Sequence, residues 1–316
     1  MEEETHILDT ELAGLEPAAW RAEMERIGGE AGSFTVLGER HSAVFVEEER
    51  RVLLVTFERA DAVRASESGA PLGFDMVRAS GWSHLCILAE GFTWFRDPAV
   101  FAHFDKLTDG GFFDRYDEVI FYGAEMCGYA ACAFSVAAPG ATVIAVAPQA
   151  TLDPRVTEWD DRFVSMRRVS FTDRYGFAPD MVEAARAVYL LYDPETDLDA
   201  MHVALFAGPN VTKFRCRFMG QRLETALVAR QMLYRMLARA AHGRLDLQSL
   251  ARIYRDRRDF VPYLRALLTR LDDDDRPRLA ALLCRNVTER MRAPRFRRRL
   301  AALREAGHDT GPEPAE

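Results

Sequence analysis

The sequence predicts an α/β protein with a mostly parallel sheet, an N-terminal antiparallel meander and a C-terminal helical annex. Apolar runs without alternation, separated by helical segments, are typical of parallel strands covered on both faces. The runs at 118–123 and 142–149 flank a helical segment at 128–138, which ends at Pro139-Gly140. After residue 221 the pattern is entirely helical. Together these observations indicate one sheet domain followed by helices.

The first elements of the chain are a helix and three short β-rich runs. The helix covers residues 11–27 and is predicted to end at Gly28-Gly29. A charged turn, EEERR, separates the second run from the third, which favours an antiparallel meander. The three runs are 34–37, 43–46 and 52–57.

Further along, the strands follow a loop rich in Ser, Gly and Pro at 65–73. Residues 84–89 read as a buried strand, and 97–107 as a helix with Asp97 as N-cap. Two later strands are predicted at 186–193 and 210–218, with a helical segment between them. The segment at about 150–185 has no clear period and is interpreted as an insertion.

These elements divide the chain into three parts. Residues 1–242 form the predicted sheet domain, and residues 243–307 form an arginine-rich helical annex. Residues 308–316 have the composition of a disordered tail.

Composition places the protein among soluble globular proteins, with 48% hydrophobic and 28% charged residues. The N-terminus is acidic and has no apolar run, so no secretory signal is expected, and no segment reaches the length of a membrane span. We therefore expect a cytoplasmic protein. The five cysteines show no CxxC pair, which favours reduced thiols, and the seven scattered histidines predict no metal site.

No cofactor is expected, because neither GxGxxG after a strand nor GxxxxGK[ST] occurs. The charge distribution is uneven: residues 222–307 hold 21 arginines and 10 acidic residues, while the whole chain carries a net charge of −8. Arginines on solvated helix faces are the favoured explanation. A protein partner for these helices is the alternative, and nucleic acid is not expected to bind.

One segment, 118–154, carries a motif of strand, sharp turn and helix. It contains Tyr122-Gly123-Ala124-Glu125-Met126-Cys127-Gly128-Tyr129, then Ala147-Pro148-Gln149 and Leu152-Asp153-Pro154. This segment resembles the α/β-hydrolase superfamily, in particular the esterase-like proteins found beside bacterial surface-polysaccharide genes. Members of that branch read YGxSMGGYxA, SPQ and LDP at these points. The resemblance extends over residues 84–221 and does not include the annex.

The resemblance implies a catalytic triad, and two of its three positions are altered here. Glu125 stands where the nucleophilic serine is expected, and Asp193, after the strand 186–193, matches the acid. Gln221 stands where the histidine is expected, and an amide has no titratable nitrogen to act as a base. The backbone donors of the oxyanion site would be Met126 and Glu90, the residue after Ala89.

Glu125 has three interpretations. It would act as a nucleophile, as a general acid or base, or as a plug whose carboxylate accepts the N–H groups that otherwise hold an oxyanion. The plug needs no partner residue and is favoured narrowly. Cys127 is a weaker candidate nucleophile, because its position needs a small residue and no histidine is placed to activate it.

Other candidate residues lie near the same sheet edge. His202 is the alternative base, although a histidine packed on a helix face explains it better, and His84 is treated in the same way. Arg96 is a candidate for binding an anionic substrate. Trp94 and Phe95 would form a sugar platform or, more simply, cover the sheet edge.

Two functions follow from these residues. The first is a non-catalytic binding or regulatory protein with a degenerate triad, linked by the resemblance to surface glycan metabolism, with a small ester or a glycan-derived ligand. The alternative is a hydrolase for a small ester or acyl substrate, in which Glu125 is the nucleophile or general base and Asp193 is the second carboxylate.

Overall fold

The structure is a computed structural model that describes residues 7–48, 50–220 and 223–308. The chain forms two compact units, of which the first runs to Ile253 and the second begins at Tyr254. The functional division at residues 242 and 243 stays a prediction. Within the described ranges, no helix combines the length and the apolar character that crossing a membrane requires.

The strands of the described residues form one eight-stranded sheet in the first unit, in the order β1-β2-β4-β3-β5-β6-β7-β8. The β1–β2 and β2–β4 pairs are antiparallel, and every other pair is parallel. The mostly parallel sheet is thus confirmed, and its strand order is that of the α/β-hydrolase fold. The strands are β1 Gly32–Leu37, β2 His41–Val46, β3 Arg50–Arg59, β4 Trp82–Ala89, β5 Glu118–Ala124, β6 Thr142–Val146, β7 Ala187–Tyr192 and β8 Val211–Arg215.

Helices connect these strands. The insertion at 150–185 holds only two short α-helices, α6 and α7, and a 3-10 helix at Val164–Arg168. The helices of the first unit are α1 Pro17–Ala31, α2 Ala60–Arg64, α3 Gly73–Ser80, α4 Pro98–Asp109, α5 Met126–Phe134, α6 Pro154–Thr157, α7 Ala178–Met181, α8 Asp197–Leu205, α9 Leu223–Ala229, α10 Met232–Ala241 and α11 Leu247–Ile253.

The first helix differs from its predicted extent, because it continues through Gly28-Gly29 to Ala31. Gly28 lies inside the helix, where a Cβ atom would come within 2.8 Å of the carbonyl oxygen of Ser33. This glycine therefore permits the close approach of α1 to the start of β1 and does not end the helix.

The third β-rich run, which forms β3, does not pair with the second run as the predicted antiparallel meander requires. β2 pairs with β4, whereas β3 lies between β4 and β5 and is parallel to both. A parallel neighbour requires a crossover connection. α2 and α3 supply it, on either side of the predicted loop, which in the structure covers residues 65–72.

Two hydrophobic clusters cover the two faces of the sheet. On one face Leu53, Val55 and Phe57 of β3 pack with α4 and with α5, whose nine residues are all buried. On the other face Cys86 and Leu88 of β4 pack with the apolar side of α1. Because α5 is enclosed on every side, the residue that precedes it is held firmly at the sheet edge.

The second unit consists of helices. Its apolar positions face inward, as the amphipathic pattern predicts. Some of its arginines are paired within the unit, since Arg299 contacts Asp272 and Arg290 contacts Asp259. Others are exposed, so the protein partner of these helices stays a prediction. The helices are α12 Val261–Asp273, α13 Pro277–Arg290 and α14 Pro294–Glu305, and the exposed arginines around α14 include Arg292, Arg295, Arg297 and Arg298.

Candidate functional site at the Glu125 turn

The predicted strand, turn and helix are present around Glu125. β5 ends at Ala124 and α5 begins at Met126, and Glu125 between them has φ 53° and ψ −119°, a conformation that side chains other than glycine rarely adopt. The Glu125 N–H donates to the carbonyl of Val146 in β6 (2.8 Å), and its own carbonyl accepts from Tyr129 N–H (2.9 Å). These two backbone bonds hold the strained residue in place.

A close approach of backbone explains why the turn is so sharp. A Cβ atom on Gly123 would lie 2.1 Å from the carbonyl oxygen of Cys127 and 2.8 Å from Gly128 N. Only glycine fits at residue 123, and this is the position two before the turn that the sequence motif requires.

The carboxylate of Glu125 is exposed and makes no capping hydrogen bond to the N-terminus of α5. This observation argues against the plug interpretation, in which those N–H groups hold the carboxylate. Partial burial and the nearby charge of Asp199 raise the pKa of Glu125, while the positive charges of Arg59 and Arg162 oppose that rise. The group therefore has the character of a proton acceptor or donor at the sheet edge.

Two guanidinium groups flank this carboxylate. Arg59, at the end of β3, pairs with Asp61 and lies over the ring of Phe92, 4.1 Å from the ring centre. Phe92 is 48% exposed. Arg162 bridges Asp160 (2.9 Å) and Asp199 (2.7 Å). The edge thus combines charged groups of both signs with an exposed aromatic ring.

Beneath the turn lies a second group of acids on the other face of β3 and β5. The hydroxyl of Tyr122 donates to Glu224 (2.7 Å). Burial, with the charges of Glu58 and Glu125, raises the pKa of Glu224 to about 7, although the hydrogen bond from Tyr122 acts in the opposite direction. Burial likewise raises the pKa of Glu58. A carboxyl group that holds its proton near neutral pH is suited to general acid or base chemistry.

The thiol of Cys127 is buried between these groups. Burial, together with the charges of Glu224 and Glu58, places its pKa well above the ordinary value of 9.0. The thiol stays protonated at neutral pH, so the side chain is not an activated nucleophile.

Asp193 follows β7 and organises the loop that leads to residue 221. Its Oδ1 accepts the N–H of Glu195 (3.0 Å) and its Oδ2 accepts the N–H of Gly220 (2.6 Å). Both carboxylate oxygens are thereby engaged by backbone. Gln221 lies outside the described residues, so its convergence with Glu125 and Asp193 stays a prediction.

The two residues predicted as oxyanion donors have different surroundings. Met126 is the first residue of α5 and is buried, with its N–H at the helix N-terminus beside Glu125. Glu90 follows β4, which is separated from β5 by β3, and its N–H donates to the carbonyl of Arg40 (2.8 Å). The loop next to the turn is instead the one after β3, at Arg59 and Ala60, because β3 is the neighbour of β5.

Arg96 is a structural anchor in this structure. Its guanidinium donates to the carbonyls of Ser170 (3.1 Å) and Arg174 (2.5 Å), pairs with Asp173 and lies over the ring of Phe101. Its side chain is buried and its donors are occupied by the insertion. Arg96 therefore fastens the insertion to the sheet domain, and its buried side chain is not open to an anionic substrate.

Trp94 is fully buried and is not an exposed platform. Its indole N–H donates to Gln149 Oε1 (3.1 Å), and its ring packs against Phe163 with the centres 4.7 Å apart. This contact gives Gln149, part of the resemblance motif, a role in holding the loop after β4. The exposed aromatic side chain of this edge is Phe92.

Both ring nitrogens of His202 form hydrogen bonds within the protein. Its Nδ1 accepts the N–H of Ala150 (3.1 Å), so Nε2 carries the proton and donates to Asp160 (2.8 Å). With both nitrogens occupied by protein groups, this imidazole has no nitrogen open to a substrate proton. His84 is buried on the face of the sheet that packs on α1 and α3.

Five residues of this edge are not among those that the sequence predicts for the site: Arg59, Glu58, Phe92, Arg162 and Glu224. Glu58-Arg59 ends the apolar run of β3, and that position would have pointed to the site had β3 been recognised as the parallel neighbour of β5. No local pattern marks Arg162 or Glu224, since tertiary packing alone brings them here.

A cavity of about 660 Å³ lies at the insertion, lined among others by Thr151, Phe171, Tyr175 and Phe177. A second, of about 600 Å³, lies between α3 and α10 beside Asp75 and Tyr234. Glu125 lines neither of these two cavities, so its side chain lies outside both.

Comparisons with known proteins found similar solved structures but no matching family. No protein-family model and no curated protein matches the sequence. Among solved structures, the Glycosylation Associate Protein (Gap123) complex of Streptococcus agalactiae is similar, with 16% identity, a TM-score of 0.45, 69% of this chain covered and 49% of that one. The chain thus spans about half the length of that protein.

Two further structures are similar over nearly their whole length. The capsule O-acetyltransferase of Neisseria meningitidis serogroup A has 10% identity and a TM-score of 0.42, with 65% of this chain and 92% of that chain covered. The mouse alpha/beta hydrolase domain-containing protein 10 has 12% identity and a TM-score of 0.39, with 65% and 98% covered. The fold assignment rests on the strand order described above.

The close approach at Gly123 leads to a first testable prediction. Gly123→Ala should lower the free energy of unfolding by at least about 2 kcal/mol, because the added Cβ meets backbone atoms that cannot move aside. Gly29→Ala is the matched control, since Gly29 lies in α1 with open space around it and alanine is the better helix former. Urea unfolding followed by circular dichroism measures both. Equal stability of the two variants would contradict the close approach.

The pKa of Glu224 leads to a second prediction. The folded protein holds this proton up to about pH 7, whereas an unperturbed carboxyl titrates at 4.5. Ionisation of Glu224 should therefore reduce stability as the pH rises between these values. The difference in the free energy of unfolding between Glu224→Gln and the wild type should therefore shift in favour of the variant by on the order of 2 kcal/mol as the pH rises from 5 to 8. Urea midpoints at both pH values test this, with exposed Glu183→Gln as control, and a difference that does not change with pH would contradict it.

Proposed function

We propose that this protein is a pseudo-hydrolase: a binding or regulatory protein of α/β-hydrolase-like fold in which Glu125 replaces the nucleophilic serine and Gln221 the basic histidine. On this proposal the Glu125 turn corresponds to the nucleophile elbow of active relatives. The observation that carries the proposal is the strained backbone of Glu125 between β5 and α5, with a carboxylate at the position of the attacking oxygen.

The state of the histidines supports this proposal. Both nitrogens of His202 are engaged by Ala150 and Asp160, and His84 is fully buried. Serine-type chemistry needs an imidazole that can accept the proton of the nucleophile and return it to the leaving group. Neither candidate imidazole of the sequence is free to do so.

For the bound molecule we propose a glycan-derived ligand, in line with the sequence resemblance to proteins encoded beside surface-polysaccharide genes. The face of Phe92 offers an apolar surface for the C–H groups of a sugar ring. The neighbouring Arg59, Glu125 and Asp199 offer donors and acceptors for hydroxyl groups. A protein partner at the exposed arginines of the C-terminal helices belongs to the same proposal.

The alternative function is a hydrolase that uses carboxylates. It is favoured by the raised pKa values of Glu125 and Glu224, since a carboxyl group that titrates closer to neutral pH is the more effective general acid or base. In this case Glu125 would accept a proton from a water molecule that attacks a small ester, and Arg59 would stabilise the developing negative charge.

A third prediction separates these two functions. The unmodified protein should not react with fluorophosphonate probes and should show no burst with nitrophenyl esters, because it has no activated serine at the turn. The double variant Glu125→Ser, Gln221→His should gain weak esterase activity, whereas either single change should gain little, because triad members act as a unit. Robust ester hydrolysis by the wild type that Glu125→Gln abolishes would establish the hydrolase.

The fourth prediction concerns the ligand. Saturation-transfer NMR with a panel of neutral oligosaccharides should detect binding to the wild type. Phe92→Ala should weaken it by about tenfold, or about 1.4 kcal/mol, through loss of the aromatic face. Val36→Ala removes an equally exposed apolar side chain from β1 and should leave binding unchanged. If no oligosaccharide binds, the glycan ligand is excluded, while the probe experiment still decides between pseudo-hydrolase and hydrolase.

A further inference from the structure

Four polar side chains project from one face of two adjacent strands, on the side of the sheet opposite α5. Thr56 and Glu58 lie on β3, and His84 and Cys86 lie on β4. The strands are parallel, with Leu54 opposite His84 and Thr56 opposite Cys86. Because side chains alternate along a strand, residues two apart share a face, and the register brings both pairs together.

Three of these side chains have the donor atoms and the spacing of a metal site. One ligand atom each from Glu58, His84 and Cys86 lies within 4.8 Å of the others. The Cys86 Sγ and Glu58 Oε1 atoms are 3.6 Å apart. A tetrahedral zinc ion with bonds of about 2.3 Å to sulfur and about 2.0–2.2 Å to oxygen requires a separation of about 3.5 Å between these atoms.

The surroundings keep these groups in position. The other carboxylate oxygen of Glu58 accepts the N–H of Leu72 (3.1 Å), and Thr56 Oγ1 lies 2.7 Å from Glu58 Oε1 and 2.8 Å from His84 Nε2. Outer contacts of this kind orient the ligands in metal sites. Gly73 leaves the space that the imidazole fills, since a Cβ atom there would lie 2.2 Å from Nε2.

A separate observation points to a missing partner at the imidazole. His84 is fully buried, and its Nδ1 has no hydrogen-bond partner among the described protein atoms. A buried polar atom left in this state is uncommon, because it loses the hydrogen bonds that water would supply. Protein groups alone therefore do not complete the bonding of this ring.

We propose that Glu58, His84 and Cys86 form a zinc site between β3 and β4. A thiolate, an imidazole and a carboxylate are the ligand types that zinc accepts together in tetrahedral geometry. Binding converts the Cys86 thiol to a zinc-bound thiolate and releases its proton to solvent, so the charges balance. Three protein ligands leave a fourth position, and Thr56 Oγ1 borders the cluster. The site joins β4 to β3, and β3 is the neighbour of the strand β5 that precedes Glu125. It does not depend on the function proposed above.

The first experiment measures metal content. The full-length chain, without a histidine tag, is incubated with one equivalent of zinc, desalted and analysed by inductively coupled plasma mass spectrometry. About one zinc per chain is expected, falling at least fivefold in Cys86→Ser and in His84→Gln. Cys132→Ser is the matched control, since Cys132 is equally buried in α5 away from the cluster, and it should keep the metal.

A second measurement needs no variant and remains decisive if the substitutions prevent folding. Cobalt added to the metal-free wild type should give a thiolate-to-cobalt charge-transfer band in the near ultraviolet, and X-ray absorption of the zinc form should show one sulfur neighbour. A wild-type protein that retains no zinc would overturn the proposal. So would a bound zinc surrounded by nitrogen and oxygen atoms alone, or a cobalt form without the charge-transfer band.

Discussion

The contact between the backbones of β5 and α5 is the constraint on which the functional edge depends. Gly123 meets the carbonyl of Cys127 so closely that no side chain fits between strand and helix. The chain must reverse within one residue, and Glu125 is forced to a positive φ as a result. Its side chain is thereby held out at the carboxyl end of a parallel sheet, where ligand crevices form in open α/β folds.

Neighbouring elements offset the strain of this turn. α5 is enclosed on all sides, and the insertion covers it through Tyr129, whose hydroxyl donates to the carbonyl of Tyr175 (2.5 Å). Arg96 ties the same insertion to the loop after β4. A segment without any period in its sequence is thus ordered by buried polar contacts made to it from the sheet domain. Arg96 and Trp94, which the sequence offers as contacts for a substrate, hold this insertion in place in the structure.

The sequence predicts the parallel strands and the Glu125 turn well, because unbroken apolar runs and a Gly-x-Glu-x-x-Gly pattern are local signals. It does not predict which strand lies beside β5, since β3 reaches that place through a crossover that no local signal marks. The misplaced strand accounts for the choice of Glu90 over the Arg59 loop. For the same reason the sequence does not predict the cluster of Glu58, His84 and Cys86. His84 and Cys86 share a face of β4, and Glu58 lies beside them only because β3 pairs with β4.

The glutamate at this turn determines the balance of charge at the sheet edge. The N-terminus of α5 favours a negative group beside it, whereas burial and the charge of Asp199 disfavour one. Burial and Asp199 outweigh the helix N-terminus, since the pKa of Glu125 is raised. The positive charges of Arg59 and Arg162 oppose part of this rise. Without neighbouring positive charges, the ionised form of a carboxyl group at this position would destabilise the folded protein. The nearby arginines and the acids of raised pKa beneath the turn therefore belong to one arrangement, in which Glu125 stays at the surface and does not cap the helix.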